Sequence, residues 1–224
     1  MPSSYTPLGV ELMVTGEQAG LWGDKTNTNL NILSQIVGGY NSQAVNGTGD
    51  TPLNVSDGAT GATVANRIIE LTGTITGNIT VSIPLDVENF YIIKNSTSGA
   101  FTVEFQYTSG SGTSVTFSAT DKGTKFVYAK ADDGTNPNIV DVFSEFSQIN
   151  LVNRNELRFQ DATGGQYIGL RAATTVGSSF TLNLPTADAT SSGQALVSDS
   201  SGNLSFADAG ISTGKAIAMA IVFG

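Results

Sequence analysis

Between residues 67 and 143 the chain alternates short β-rich runs with turn residues. The runs are 67–71, 79–83, 90–94, 101–107, 114–117, 125–129 and 139–143. Gly73, Gly77, Pro84, Ser98-Gly99, 109–112, 121–123 and Asp132-Asp133-Gly134 break them. One run in about 10–12 residues is the spacing of a β-sandwich or barrel. In 101–107 the odd positions Phe101, Val103, Phe105 and Tyr107 are all apolar or aromatic. Such a strand lays one face on a core and the other in water. Tyr107, Phe126 and Tyr128 read as core on the same grounds. No helical crossovers separate the runs, which excludes a parallel α/β sheet.

Upstream, the period changes. Leu30, Leu33 and Val37 fall at i, i+3 and i+7, with Ile36 beside them. That is one apolar helix face and predicts a helix over 24–37, capped by Asp24 or Thr26 and stopped by Gly38-Gly39. Downstream, strand-like pieces at 155–160, 167–171, 180–184 and 204–206 are spread thinly among loops. Their apolar content is too sparse for a compact monomeric core. Winding around further copies of the chain would supply the missing burial. At the end, Lys215-Ala-Ile-Ala-Met-Ala-Ile-Val-Phe223 is apolar. An exposed strand of this kind aggregates, so a buried terminal strand is expected.

Composition narrows the function. Of 224 residues, only 13% are charged, about half the usual share, and 26 are Gly. There is no Cys and no His. Disulfides, thiol nucleophiles, common zinc sites, Ser-His-Asp triads and imidazole acid–base chemistry are thereby excluded. The net charge is −9, with 10 basic against 19 acidic residues. Phosphate neutralisation in a nucleic-acid groove needs the opposite balance, as does attraction to an anionic membrane. The N-terminus has no basic region followed by an apolar run, and the apolar stretch at 216–223 is far shorter than the ~20 residues of a membrane span. Synthesis in the cytoplasm without membrane insertion is the expectation.

Candidate chemistry is weak when weighed against plain structure. Gly210-Ile-Ser-Thr-Gly214-Lys215 is one residue short of a phosphate loop, and Ala216 stands where a metal-binding hydroxyl belongs. Asp132-Asp133-Gly134 and Asp199-Ser-Ser-Gly-Asn203 resemble calcium loops only in part; both suit turns with Gly at positive φ. Glu104, Asp121, Asp132 and Asp133 are candidates for a glycosidase pair, but nothing in the sequence sets two of them on one face. Arg154 and Arg158 beside Glu156 read as inter-chain ion pairs. Trp22 reads as core or interface packing rather than a sugar platform.

Three blocks carry a resemblance. Leu8-Gly-Val-Glu-Leu-Met-Val-Thr-Gly-Glu-Gln-Ala-Gly-Leu-Trp-Gly-Asp-Lys-Thr-Asn-Thr-Asn-Leu30 resembles the N-terminus of tail-fibre and related structural proteins from phages of marine bacteria and cyanobacteria. Glu156-Leu-Arg-Phe-Gln-Asp-Ala-Thr-Gly-Gly-Gln-Tyr-Ile-Gly-Leu170, with 181–188 and 193–206, resembles the shaft repeats of those proteins. The stretch 214–224 is similar to their C-terminal ending. The resemblance implies a virion protein, commonly trimeric and attached to the tail.

The expected fold class is therefore mainly β: one short N-terminal helix, an antiparallel β-sandwich or barrel domain, then an intertwined β-rich shaft-like region. The expected divisions are 1–45 (attachment arm and helix), 46–146 (antiparallel β domain), 147–209 (shaft-like region) and 210–224 (buried terminal strand). The expected function is that of a non-enzymatic virion structural protein of a tailed phage. It would be a short tail-fibre-type appendage without cofactors, working as a homotrimer. Its other partners would be phage tail proteins and a host-surface glycan or protein. The alternatives are a capsid decoration or head-fibre protein and a small polysaccharide-binding or depolymerising protein. Trp22, Leu30, Leu33, Val37, Ile217, Met219, Ile221 and Phe223 are the expected oligomer or attachment interface.

Overall fold

The computed structural model describes residues 3–120, 122–161, 165–208 and 221. It divides into two compact units, 1–147 and 148–224. The described residues are mainly β with a single α-helix, and most of the strand pairings are antiparallel.

Unit 1 opens with two short strands, β1 (Ser4–Tyr5) and β2 (Glu11–Leu12), paired antiparallel. Helix α1 (Trp22–Gly38) follows. It begins two residues before the expected start, and neither Asp24 nor Thr26 caps it. The cap is Leu21, without a side-chain hydrogen bond. The preceding turn, where the Leu21 N–H donates to the Gln18 carbonyl (2.9 Å), leads the chain into the first helical turn. At the other end Gly39 leaves the helix in extended conformation, and its N–H donates to the Gln35 carbonyl (2.8 Å). A Cβ here would lie 2.5 Å from Asn66 Oδ1, so the expected Gly stop is also a site of close approach.

Two sheets follow, packed about one core. Strands β3 (Tyr40–Ala44), β5 (Ile68–Thr72) and β7 (Asn89–Asn95) run parallel in the first. Strands β4 (Gly47–Pro52), β6 (Ile75–Ile83) and β8 (Val103–Tyr107) run parallel in the second. From β3 to β8 the chain passes from sheet to sheet five times, and each return to a sheet adds the next parallel strand. It then turns back. β9 (Val115–Phe117) pairs antiparallel with β8, β10 (Thr124–Ala129) with β7, and β11 (Ile139–Asp141) with β10. The antiparallel pairing expected for 46–146 thus holds for the later strands, while the earlier rungs are parallel. Parallel strands need a crossover, and here the crossover is a strand of the opposite sheet, so no helix is required. At the corner Gly73 has φ 109°, and a Cβ there would fall 2.6 Å from the Val45 carbonyl oxygen.

Alternation builds the core. β5 turns Ile69 and Leu71 inward, β7 Tyr91 and Ile93, and β10 Val127 and Ala129. The opposite sheet contributes Val81 and Ile83 from β6, Val103 and Phe105 from β8, and Phe117 from β9. Tyr91 and Phe105 meet edge to face at 5.6 Å. The buried Tyr91 hydroxyl donates to the Val64 carbonyl (2.8 Å), and that of Tyr107 to the Val87 carbonyl (2.9 Å). Burial pushes the Tyr107 phenol up to about 12. Tyr107 is core as expected, but Phe126 and Tyr128 are not. Period 2 puts them opposite Val127 and Ala129, on the outer face, where Phe126 touches Phe90 and Phe143.

Unit 2 contains two antiparallel hairpins. β12 (Leu157–Gln160) pairs with β13 (Tyr167–Leu170), and β14 (Gln194–Ser198) with β15 (Leu204–Asp208). The expected strand at 180–184 is reduced to a bridge between Asn183 and Asn203.

Candidate interaction surface

Helix α1 lies against unit 1 through the face Lys25, Asn29, Ile32 and Ile36. Ile32 is 1% exposed, and Ile36 packs on the core. Asn29 clamps the backbone of Glu11 at both ends. Its Oδ1 accepts the Glu11 N–H and its Nδ2 donates to the Glu11 carbonyl, each at 2.9 Å. The Glu11 carboxylate is itself buried. It accepts from Ser3 Oγ (2.7 Å) and Gln18 Nε2 (3.0 Å) and pairs with Lys25 Nζ (3.0 Å). The Ser3 hydroxyl and the Lys25 ammonium hold this carboxyl below its usual range. The arm is therefore fixed to the helix by a polar knot.

The apolar stripe expected at the interface points away from the core. Leu30, Leu33 and Val37 are exposed, Val37 by 74%, and Trp22 at the helix start by 64%. The structure brings the first three together along a shallow groove with Ser34, Gln35, Gly38 and Gly39. Leu33 also borders a second groove, lined by Pro7, Leu8 and Val10 of the arm. Trp22 borders neither. Ile221 is exposed, whereas Ile217, Met219 and Phe223, and with them the rest of the expected strand at 210–224, lie outside the described residues.

Among its described residues unit 2 has no core of its own. None of its described residues is buried. In the first hairpin Leu157 stands opposite Leu170 and Phe159 opposite Ile168. By alternation these four share one face, and all are exposed. The other face is closed within the chain. Arg158 lies over the Tyr167 ring at 4.2 Å, and the Glu156 carboxylate accepts from Arg158 (2.9 Å) and Arg171 (3.2 Å). Arg154 donates to the Ala172 carbonyl (3.2 Å). The pairings read from sequence as inter-chain are thus made within one hairpin, because two residues along a strand restore the same face. In the second hairpin Leu196 faces Phe206, again uncovered.

The acidic loops are turns. Asp199 Oδ1 accepts the backbone N–H groups of Ser201 (2.8 Å) and Asn203 (2.9 Å), with Gly202 at φ 84° as expected. In the 132–134 loop the left-handed residue is Ala131 (φ 46°) rather than Gly134. Asp133 Oδ1 accepts the N–H groups of Thr135 and Asn136, and Asp132 Oδ1 that of Asn138. The Asn138 N–H, and then the Lys130 ammonium, pull the Asp132 carboxyl far below its usual range. Glu104 accepts from Ser114 Oγ, and Asp121 lies outside the described residues. Among the described residues no group of three or more acidic side chains is placed to hold a metal ion, and no helix is long and apolar enough to cross a membrane. Gly210–Lys215 also lies outside them.

Against known proteins the chain has no match among protein families, curated proteins or solved structures. What sequence reading missed is the sidedness of the 157–170 hairpin. The signal was present in the alternation Leu157, Phe159 against Arg158, Gln160, but it needs the pairing register to become a face.

Proposed function

We propose that this chain is a structural protein of a tailed-phage virion, a short tail-fibre-type appendage that assembles as a homotrimer. The observation that carries the reading is unit 2: paired strands in register, with no buried residue among those described. An isolated two-stranded hairpin is marginal in water. Such a segment reaches a stable form when other chains cover it, as in an intertwined shaft. The resemblance of 8–30, 156–170, 181–188 and 193–206 to phage fibre proteins supports the same reading. The exposed stripe Leu30, Leu33 and Val37 suits attachment of the N-terminal unit to a neighbour. Contact with a host-surface glycan or protein is a secondary role. Three weak sites on one trimer, and several trimers on one particle, raise avidity by orders of magnitude without a strong single site.

Immunogold electron microscopy of intact particles, with antibody raised against unit 1, tests this directly. Label confined to the tail is the expected result. Label spread over the capsid would replace the appendage with a capsid decoration protein, and particles without label would end the virion reading.

A further inference from the structure

We infer that the apolar face of the 157–170 hairpin is a self-association seam, covered by the same hairpin of another copy of this chain. This rests on the multi-copy assembly proposed above and names its contact surface. Three observations carry it. The first is sidedness. Leu157, Phe159, Ile168 and Leu170 occupy one face in two directly opposed pairs, and every one is exposed. On the opposite face Arg158 is stacked on Tyr167 and bound to Glu156. One side of this hairpin thus carries polar contacts made within the chain, and the other carries four exposed apolar side chains.

The second observation is charge. Residues 1–147 hold six basic and fourteen acidic residues, whereas 148–208 hold three and five. Copies brought together at unit 1 carry eight negative charges each into the contact; at 148–208 they carry two. Like charges oppose association at the first and scarcely at the second. A basic partner would be drawn to unit 1, not to this face.

The third is area. Unit 2 leaves Leu157, Phe159, Ile168, Leu170, Leu196 and Phe206 between 36% and 73% exposed, among others. At roughly 200 Å² per large apolar side chain, covering these six removes roughly 650 Å² per chain from water, near the lower end of one partner's share in a specific interface. Hairpins with no buried residue among those described need this cover permanently. A second copy provides it at equal stoichiometry and with an identical apolar face.

The full-length chain contains no Cys, so single cysteines report proximity cleanly. Phe159→Cys places a thiol on the apolar face, and Gln160→Cys places one on the opposite face. Mild oxidation is expected to link Phe159→Cys into covalent dimers and to leave Gln160→Cys unlinked. Ile168→Asp is expected to reduce the sedimenting mass to that of one chain, while Gln160→Asp leaves the wild-type mass. An unchanged unfolding transition of unit 1 in Ile168→Asp separates loss of the seam from general misfolding. Wild-type protein sedimenting as a single chain overturns the inference. So does a link formed through Gln160→Cys in place of Phe159→Cys. Particles that lack the protein would overturn the appendage reading while a Phe159→Cys link kept the seam.

Discussion

Tyr91 shows how much one side chain does in the body of unit 1. Its ring fills the gap between the sheets, and its hydroxyl satisfies the carbonyl of Val64 in the only 3-10 turn among the described residues, Thr63–Ala65. Burial drives its phenol well above the usual tyrosine range. Tyr91→Phe keeps the ring and orphans the carbonyl. Loss of about 1–3 kcal/mol is expected, measured by chemical denaturation. Glu70 does a different job on the outer face. It accepts from Tyr40 Oη (2.6 Å), Ser96 Oγ (2.6 Å) and Lys94 Nζ (2.8 Å) across three neighbouring strands. Lys94 first, then Ser96 and Tyr40, lower its carboxyl to about 2. A carboxylate depressed on folding stabilises fully above its ordinary value and loses that contribution as pH falls towards the folded one. The contribution of Glu70 therefore drains between about pH 4.5 and 2. Wild-type melting temperatures should fall more steeply across this window than those of Glu70→Gln. Parallel slopes would remove Glu70 from the acid sensitivity.

At the scale of elements, α1 shows how a helix can be legible in extent and wrong in phase. The spacing of Leu30, Leu33 and Val37 marks a true face, but the buried one lies one residue round: Ile32 and Ile36, continued by Asn29 and Lys25. Polar residues disguised it, because Asn29 and Lys25 are used inward to hold Glu11. Ile32→Ala should cost unit 1 about 2–5 kcal/mol by denaturation, whereas Leu33→Ala should stay within about 0.5 kcal/mol. Equal losses would mean that both faces are packed. β3 and β4 were unreadable for another reason. Their residues, Tyr-Asn-Ser-Gln-Ala and Gly-Thr-Gly-Asp-Thr-Pro, carry little β propensity. They are edge strands held by parallel backbone ladders to β5 and β6, and polar, Gly- and Pro-bearing edges resist further pairing. Strands with inward alternation, such as β8 and β10, were plain within a residue or two because burial writes itself into sequence as period 2.

Among the described residues, every buried apolar side chain lies in unit 1 and none in unit 2. The 22 members of the core cluster all lie between Val45 and Ile139. Residues 1–147 expressed alone should unfold in one cooperative transition. Residues 148–224 alone should lack one at low micromolar concentration, as followed by circular dichroism during heating. A sharp transition in the second fragment would contradict its dependence on other chains. The candidate surface was only half legible for the same reason. Sequence shows that Leu157 and Phe159 alternate with Arg158 and Gln160. Their pairing with Leu170 and Ile168 is a matter of register, which depends on a distant segment.

The passage of the chain between the two sheets of unit 1 also sets how that body can change its dimensions. Ile68 aligns with Ile92 and Ile79 with Val103, so two successive layers lie 24 residues apart in both sheets. An inserted segment of about that length, carrying the same inward alternation, would add one layer and about 4.8 Å of height. The helix, the arm and the returning strands would keep their local partners. Duplication of a segment is thus enough to lengthen the body in discrete steps, which makes stature the property of this protein most open to gradual modification.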